Sequence, residues 1–237
     1  MSGGDHFAAL PDEILQHVLS YLPSRNAVQS SVLARRWCHL WRSTPAVRVR
    51  GSNDLFRRFV NILLLSRDAS PLRLFEIDAD LLIGEVDEDY YDEDNDPREV
   101  DPYVDAWIRH AVTTCRARSL IARIQDEDDI KWSPRQRLPF ASPHLTTMRL
   151  HGVKLAAGLL DFACCPALLE LSLGGCHLEG DAFASPSLER LCIIDCHIGV
   201  VPYSDWPTRM RIFTPSLRHL QLSDENAEGV SKAPSLP

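Results

Sequence analysis

A chain of 237 residues with a formal net charge of −8 has room for one large domain or two small ones. It lacks the basic surface that a phosphate-tracking nucleic-acid binder needs. An apolar fraction of 45% with 24% charged residues is that of an ordinary soluble globular protein. The most apolar long stretch, 153–175, is interrupted by Lys154, Asp161, Pro166 and Glu170, which makes it a poor membrane span. Residues 1–9 show neither a basic start nor an apolar core, so no secretory leader is expected. The seven cysteines are then expected as reduced thiols in a cytoplasmic or nuclear protein.

In chain order, the first element expected is a helix opening at Leu10-Pro11-Asp12-Glu13. Proline suits the first helical position, and the two acids sit where the helix dipole favours negative charge. Ile14, Val18 and Leu22 follow at intervals of four, with Leu15 and Leu19 beside them, as a broad apolar stripe. Pro23 stops this helix, and Ser24 is expected to cap a second one carrying Ala27, Val28 and Val32. A third helix is expected around Trp37, Leu40 and Trp41, ending before Pro45. Three helices this short cannot bury so much apolar surface among themselves. The stripe therefore packs on the rest of the chain or on a partner, and the pattern alone leaves both open.

The run Leu-Pro-Asp-Glu-Ile-Leu-x-x-Val-Leu-Ser-x-Leu-Pro from Leu10 to Pro23, followed by Ser-Val-Leu-Ala-Arg-Arg-Trp from Ser31 to Trp37, closely resembles an F-box. The spacing matches throughout residues 8–45. The resemblance implies a three-helix fold over residues 1–50 that inserts an apolar face into a Skp-type adaptor, and through it joins a cullin scaffold. On the matching positions, Leu10, Pro11, Ile14, Leu15, Val18, Leu22, Val28, Val32 and Trp37 are the implied adaptor contacts or their immediate supports. One position departs: Ala34 stands where relatives often place a capping serine, a loss of about 1 kcal/mol.

Residues 54–67 carry Leu55, Phe56, Phe59, Val60, Ile62, Leu63 and Leu64 and are expected to form an amphipathic connector helix within 51–70, ended by Pro71. The stretch 84–102 combines acids, Asn, Pro and two Tyr without apolar period, and reads as a solvated insertion. Its contiguous acids lack the Asp/Asn-Gly spacing of a calcium loop.

The remainder, 71–237, is periodic. Leu168-x-x-Leu171-x-Leu173-x-x-Cys176-x-Leu178 recurs as Leu188-x-x-Leu191-x-Ile193-x-x-Cys196-x-Ile198. Both match the leucine-rich-repeat template, including its Asn/Cys slot. Another copy, Leu145-x-x-Met148-x-Leu150-x-x-Val153-x-Leu155, puts Val in that slot, and a last one begins Leu217-x-x-Leu220-x-Leu222. A proline precedes each copy by two residues, at 143, 166, 186 and 215. Degenerate copies are expected at Leu72-x-x-Phe75-x-Ile77 and near Leu120. The expected fold class is therefore α+β, a three-helix F-box followed by an irregular leucine-rich-repeat solenoid with a short-stranded parallel sheet. This order of parts is similar to the plant F-box/leucine-rich-repeat proteins of the FBD type. Such proteins usually continue with more repeats, so the chain is expected to be a C-terminally truncated product.

In each repeat strand the Leu positions point inward and the residues between them outward. Thr147 and Arg149, Glu170 and Ser172, Arg190 and Cys192, and His219 and Gln221 are thereby expected on one shared face, the candidate site for a target protein. Cys176 and Cys196 fall in the template's buried slot, and without a paired Cys-x-x-Cys no metal is expected. No phosphate loop, Gly-x-Ser-x-Gly elbow or zinc-protease motif is present. The expectation is a non-catalytic, cofactor-free subunit of a cullin-type ubiquitin ligase. The other reading is a repeat scaffold, or a truncated product, without ligase recruitment.

Overall fold

The computed structural model describes residues 10–80, 102–125, 132–134, 140–156, 158, 160–180, 182–199 and 210–223. The first helix, α1, spans Asp12–Leu19, with Pro11 as its N-cap and both acids in its first turn. The second, α2, spans Ser24–Gln29 after Pro23. Ser24 does not cap it. Its hydroxyl accepts the Arg48 backbone N–H at 2.9 Å instead, tying the helical segment to the strand that follows.

No third α-helix forms where Trp37, Leu40 and Trp41 suggest one. Two 3₁₀ turns, Arg35–Cys38 and Leu40–Ser43, stand there, broken at His39 with φ −119° and ψ −9°. Another short 3₁₀ turn, Ser30–Val32, follows α2. Ala34, extended and without a side-chain cap, offers nothing to anchor the first turn of a longer helix. The segment is held by Arg36, which pairs with Asp12 at 2.7 Å and donates to the Leu10 carbonyl. Its own core is small: Leu15, Leu19, Ala27 and Leu40 are buried, with Leu10, Trp37 and Trp41 against them.

Strands and helices then alternate. β1 (Ala46–Gly51), α3 (Asp54–Leu65), β2 (Leu74–Asp80), α4 (Pro102–Thr113) and β3 (Ser119–Gln125) give two parallel crossovers. Asn53 caps α3 by accepting the Phe56 N–H. The sheet continues through β4 (Thr147–His151), then skips β5 (Lys154–Leu155) to reach β6 (Glu170–Gly174). It passes over β7 (His177–Glu179) and β8 (Ala182–Ala184) to β9 (Arg190–Ile194), and over β10 (His197–Gly199) and β11 (Arg211–Phe213) to β12 (His219–Ser223). The result is a seven-stranded parallel sheet in the order β1-β2-β3-β4-β6-β9-β12, with smaller parallel sheets β5-β7-β10 and β8-β11. Among the described residues, the crossovers from β1 to β2 and from β2 to β3 carry helices, and those leaving β4, β6 and β9 carry short strands.

One core runs behind the large sheet. The inward row includes Val47, Phe75, Leu120, Met148, Leu171 and Leu191, all nearly fully buried, and these residues stand in register across neighbouring strands. On α3 and α4, Val60, Leu63, Leu64, Val104, Trp107 and Ile108 complete it. Trp107 is fixed by an N–H bond of 2.7 Å to Asn61 Oδ1. Neither β1 nor α4 is among the elements the sequence led us to expect. The acidic stretch expected as a loop at 84–102 lies outside the described residues, apart from the first residue of α4.

Candidate functional site: an open helical face and the outward face of the sheet

The helical segment leaves its apolar stripe uncovered. Leu15 and Leu19 point into the small core, while Ile14 and Val18 are 47% and 45% exposed and Leu22 lies beside them. Val32 is 85% exposed, with Leu33 and Tyr21 also open. Six large apolar side chains within 20 residues of sequence therefore face solvent. Of the residues expected at the adaptor, Pro11, Ile14, Val18, Leu22 and Val32 are exposed. Leu10, Val28 and Trp37 are half-buried, and Leu15 is internal.

The eight residues expected on the sheet face stand in two rows. Thr147, Glu170, Arg190 and His219 are consecutive register partners, as are Arg149, Ser172, Cys192 and Gln221. None is buried. The second row extends through Ile121 on β3, Glu76 on β2 and Arg48 on β1. Glu76 is clasped from both sides, by Arg48 at 3.2 Å and Arg123 at 2.7 Å. Arg48 also donates to the Ser20 carbonyl, linking the sheet face to the end of α1. Asp78 pairs with Arg50 at 3.4 Å, and Glu170 with Arg190. A cavity of about 280 Å³ opens where β3, β4, β6 and β9 end, lined among others by Arg123, Arg149 and His151.

Behind the face, one column plugs the turns. Trp132, Val153, Cys176 and Cys196 occupy equivalent positions: the N–H of the residue after each of Val153, Cys176 and Cys196 donates to the carbonyl of the preceding column member. Cys176 is fully buried, and its Sγ donates to the Gly174 carbonyl at 3.3 Å. The Cys196 thiol beside it, together with burial, pushes the Cys176 thiol well above the usual range. Burial likewise pushes Cys165 up to about 12. These are inert packing thiols rather than nucleophiles. No disulfide joins any of the seven cysteines. Among the described residues no three His, Cys, Asp or Glu side chains converge as a metal site would require. Nor is any described helix long and apolar enough to cross a membrane.

Residues 7–46 match the F-box domain. Along most of its length the chain resembles a meiotic F-box protein of rice, Oryza sativa subsp. japonica, at 29% identity over 92% of this chain and 46% of the relative. It resembles an F-box/FBD/LRR-repeat protein of Arabidopsis thaliana at 26% identity over 94% of this chain and 50% of the relative. These matches liken the chain to the plant F-box/leucine-rich-repeat proteins. Another F-box/LRR-repeat protein of Arabidopsis thaliana is 32% identical over 48% of this chain and 21% of its own length. The chain thus spans half or less of these curated relatives. No solved structure matches it. F-box proteins are generally non-catalytic adaptor subunits, and their F-box generally docks on a Skp-type adaptor.

The column residue Trp132 and the cavity were missed from sequence. Trp132 lies outside any recognisable repeat copy, so no spacing marks it. The strand β1 left a trace, the alternation Val47, Arg48, Val49, Arg50, which reads as a half-buried strand. Helix α4 left Val104, Trp107, Ile108 and Ala111 at intervals of three and four, a helical period obscured by the acidic run before it.

Proposed function

We propose that this chain is the substrate-recognition subunit of a cullin-type ubiquitin ligase, acting in the cytoplasm or nucleus. The F-box docks on a Skp-type adaptor, and a leucine-rich-repeat solenoid holds a target protein on its outward sheet face. The observation that carries this reading is the uncovered stripe of Ile14, Val18, Leu22 and Val32 in the segment that matches the F-box. In this reading the F-box (1–50), connector helix (51–70) and repeats (71–237) keep the boundaries read from sequence, with β1 as the seam between them. Apolar anchors that are exposed in the lone chain and desolvated in a complex are what concentrate binding energy at an interface.

Co-purification with a Skp-type adaptor tests it. Ile14→Asp, Val32→Asp and the double change Leu10→Ala with Pro11→Ala are each expected to abolish capture while the repeats stay folded. An unpaired carboxylate buried at such a contact costs several kcal/mol, against the ~8 kcal/mol of a micromolar complex. Leu15→Asp is the control that fails differently, by unfolding the small helical core. Capture that survives both Asp variants on the exposed stripe would refute the docking.

A further inference from the structure

The cavity at the ends of β3, β4, β6 and β9 opens on the outward face of the sheet, with Arg123, Arg149 and His151 in its lining. At the outward positions of the strands, five arginines, at 48, 50, 123, 149 and 190, stand against four acids, Glu76, Asp78, Asp80 and Glu170. These positions carry a small positive excess within a chain of net charge −8. Glu76 is committed to two arginines, Asp78 to Arg50 and Glu170 to Arg190.

Arg149 is different. Its register neighbours are Ile121 on β3 and Ser172 on β6, so no acid stands opposite it, and no ion pair holds it among the described residues. It is exposed and borders the cavity. Beside it lie His151, the next outward residue of β4, and Arg123, whose pair to Glu76 occupies one side of its guanidinium. Ile121 and Ile194 supply apolar walls. At Gly174 the wall carries no side chain, and a Cβ there would press on His151 at 3.0 Å. Asp195, the one acid that lines the cavity, already has an interaction of its own. The volume, about 280 Å³, falls below the roughly 300–1,000 Å³ of pockets that enclose a drug-sized ligand. It suits a side chain presented by a larger partner.

Resting on the reading of this face as the target surface, we infer that the cavity is the anchor point for an acidic side chain, Asp or Glu, flanked by an aliphatic residue on the target. The Arg149 guanidinium pairs with the carboxylate through two parallel N–H bonds, a geometry lysine cannot reproduce. Ile121 and Ile194 take the aliphatic neighbour. Because the other cations of the face are satisfied within the chain, Arg149 is where a partner's negative charge gains most, and this sets which segment of a target is held.

The test pans a displayed random-peptide library on the full chain and measures affinities of the selected peptides by fluorescence anisotropy. Selected peptides are expected to share an acid next to an aliphatic residue. Replacing that acid by its amide, or Arg149→Ala in the protein, weakens binding roughly tenfold, the scale of one charge-assisted bidentate pair. Arg149→Glu abolishes it. Among the described residues Arg149 holds no ion-pair partner, so these variants are expected to keep the parent's melting curve. Binding that survives Arg149→Glu but is lost with Arg190→Glu leaves the face as the target surface and overturns the anchor. Binding that survives both overturns the face as well. Failure to select any peptide, or selection of peptides without an acid, overturns the anchor. So does binding that appears only when the acids at 126–129 are replaced by serine, which assigns the site to the chain's own acidic run. A phosphoserine peptide that binds where its Glu counterpart does not would replace the carboxylate by a phosphate and equally overturn it.

Discussion

At the scale of single residues, the turn that follows each outward strand decides how closely the strands can stack. Gly152, Gly175 and Asp195 hold the same place in successive copies, with φ of +70°, +54° and +51°. Their N–H groups donate to Gly174, Ile194 and Ser223 on the next strand, so the left-handed turn is part of the ladder. Asp tolerates this region better than most residues with a side chain. The three sites differ in space. A Cβ at Gly152 would run into the Ile124 carbonyl, whereas one at Gly175 meets only the His151 ring at 3.5 Å. Gly175→Ala is therefore expected to cost about 1 kcal/mol, the left-handed strain alone. Gly152→Ala should cost at least about 2 kcal/mol more, because backbone must move as well. Urea denaturation of the two variants measures the gap; equal losses would mean that the Ile124 contact relaxes freely. The glycines are visible in the sequence, but the difference between them is not, because Ile124 belongs to a copy whose spacing has decayed.

At the scale of elements, the helical segment shows what spacing can and cannot say. Ile14, Leu15, Val18 and Leu19 specified α1 and both its faces, one inward and one open. Trp37, Leu40 and Trp41 have the same spacing, yet they sit on two 3₁₀ turns. Periodicity reports which side chains share a face, and a 3₁₀ turn with i, i+3 contacts satisfies it as well as an α-helix does. What separates the two is the treatment of the end groups, and Ala34 provides no side-chain acceptor for them. Ala34→Ser is expected to stabilise the segment by about 1 kcal/mol, seen as a higher melting temperature, with adaptor capture unchanged. A melting temperature that does not move would show that the turn is set by the packing of Trp37 and Trp41 rather than by its cap. Helix α4 is the converse case: its period was present, but composition just upstream dominated the reading.

For the molecule as a whole, stability is graded along the sheet because each strand buries its inward row mainly against its neighbours. The inward pair is Leu171 and Leu173 on β6 and Leu191 and Ile193 on β9, all at most 5% exposed. On β12 the equivalent pair, Leu220 and Leu222, is 42% and 63% exposed, and β12 is the edge of the sheet among the described residues. At the other edge, β1 is flanked by α3 and tied to the F-box through Ser24 and Arg48, with Val47 and Val49 buried. The sheet thus has one braced edge and one open one among the described residues, an asymmetry that the shared Leu-x-x-Leu-x-Leu/Ile pattern of the later copies conceals. A core leucine that leaves a cavity costs about 2–5 kcal/mol, whereas truncation of a half-exposed one usually costs under about 1 kcal/mol. Leu171→Ala is expected to destabilise the chain by the larger amount and Leu220→Ala by the smaller. Amide hydrogen exchange should follow the same order, fastest at His219–Ser223 and slowest at β2 and β3, since local opening begins where burial is least. Equal protection across the strands, or equal losses in the two alanine variants, would mean that β12 is covered in solution and that the sheet unfolds as one unit.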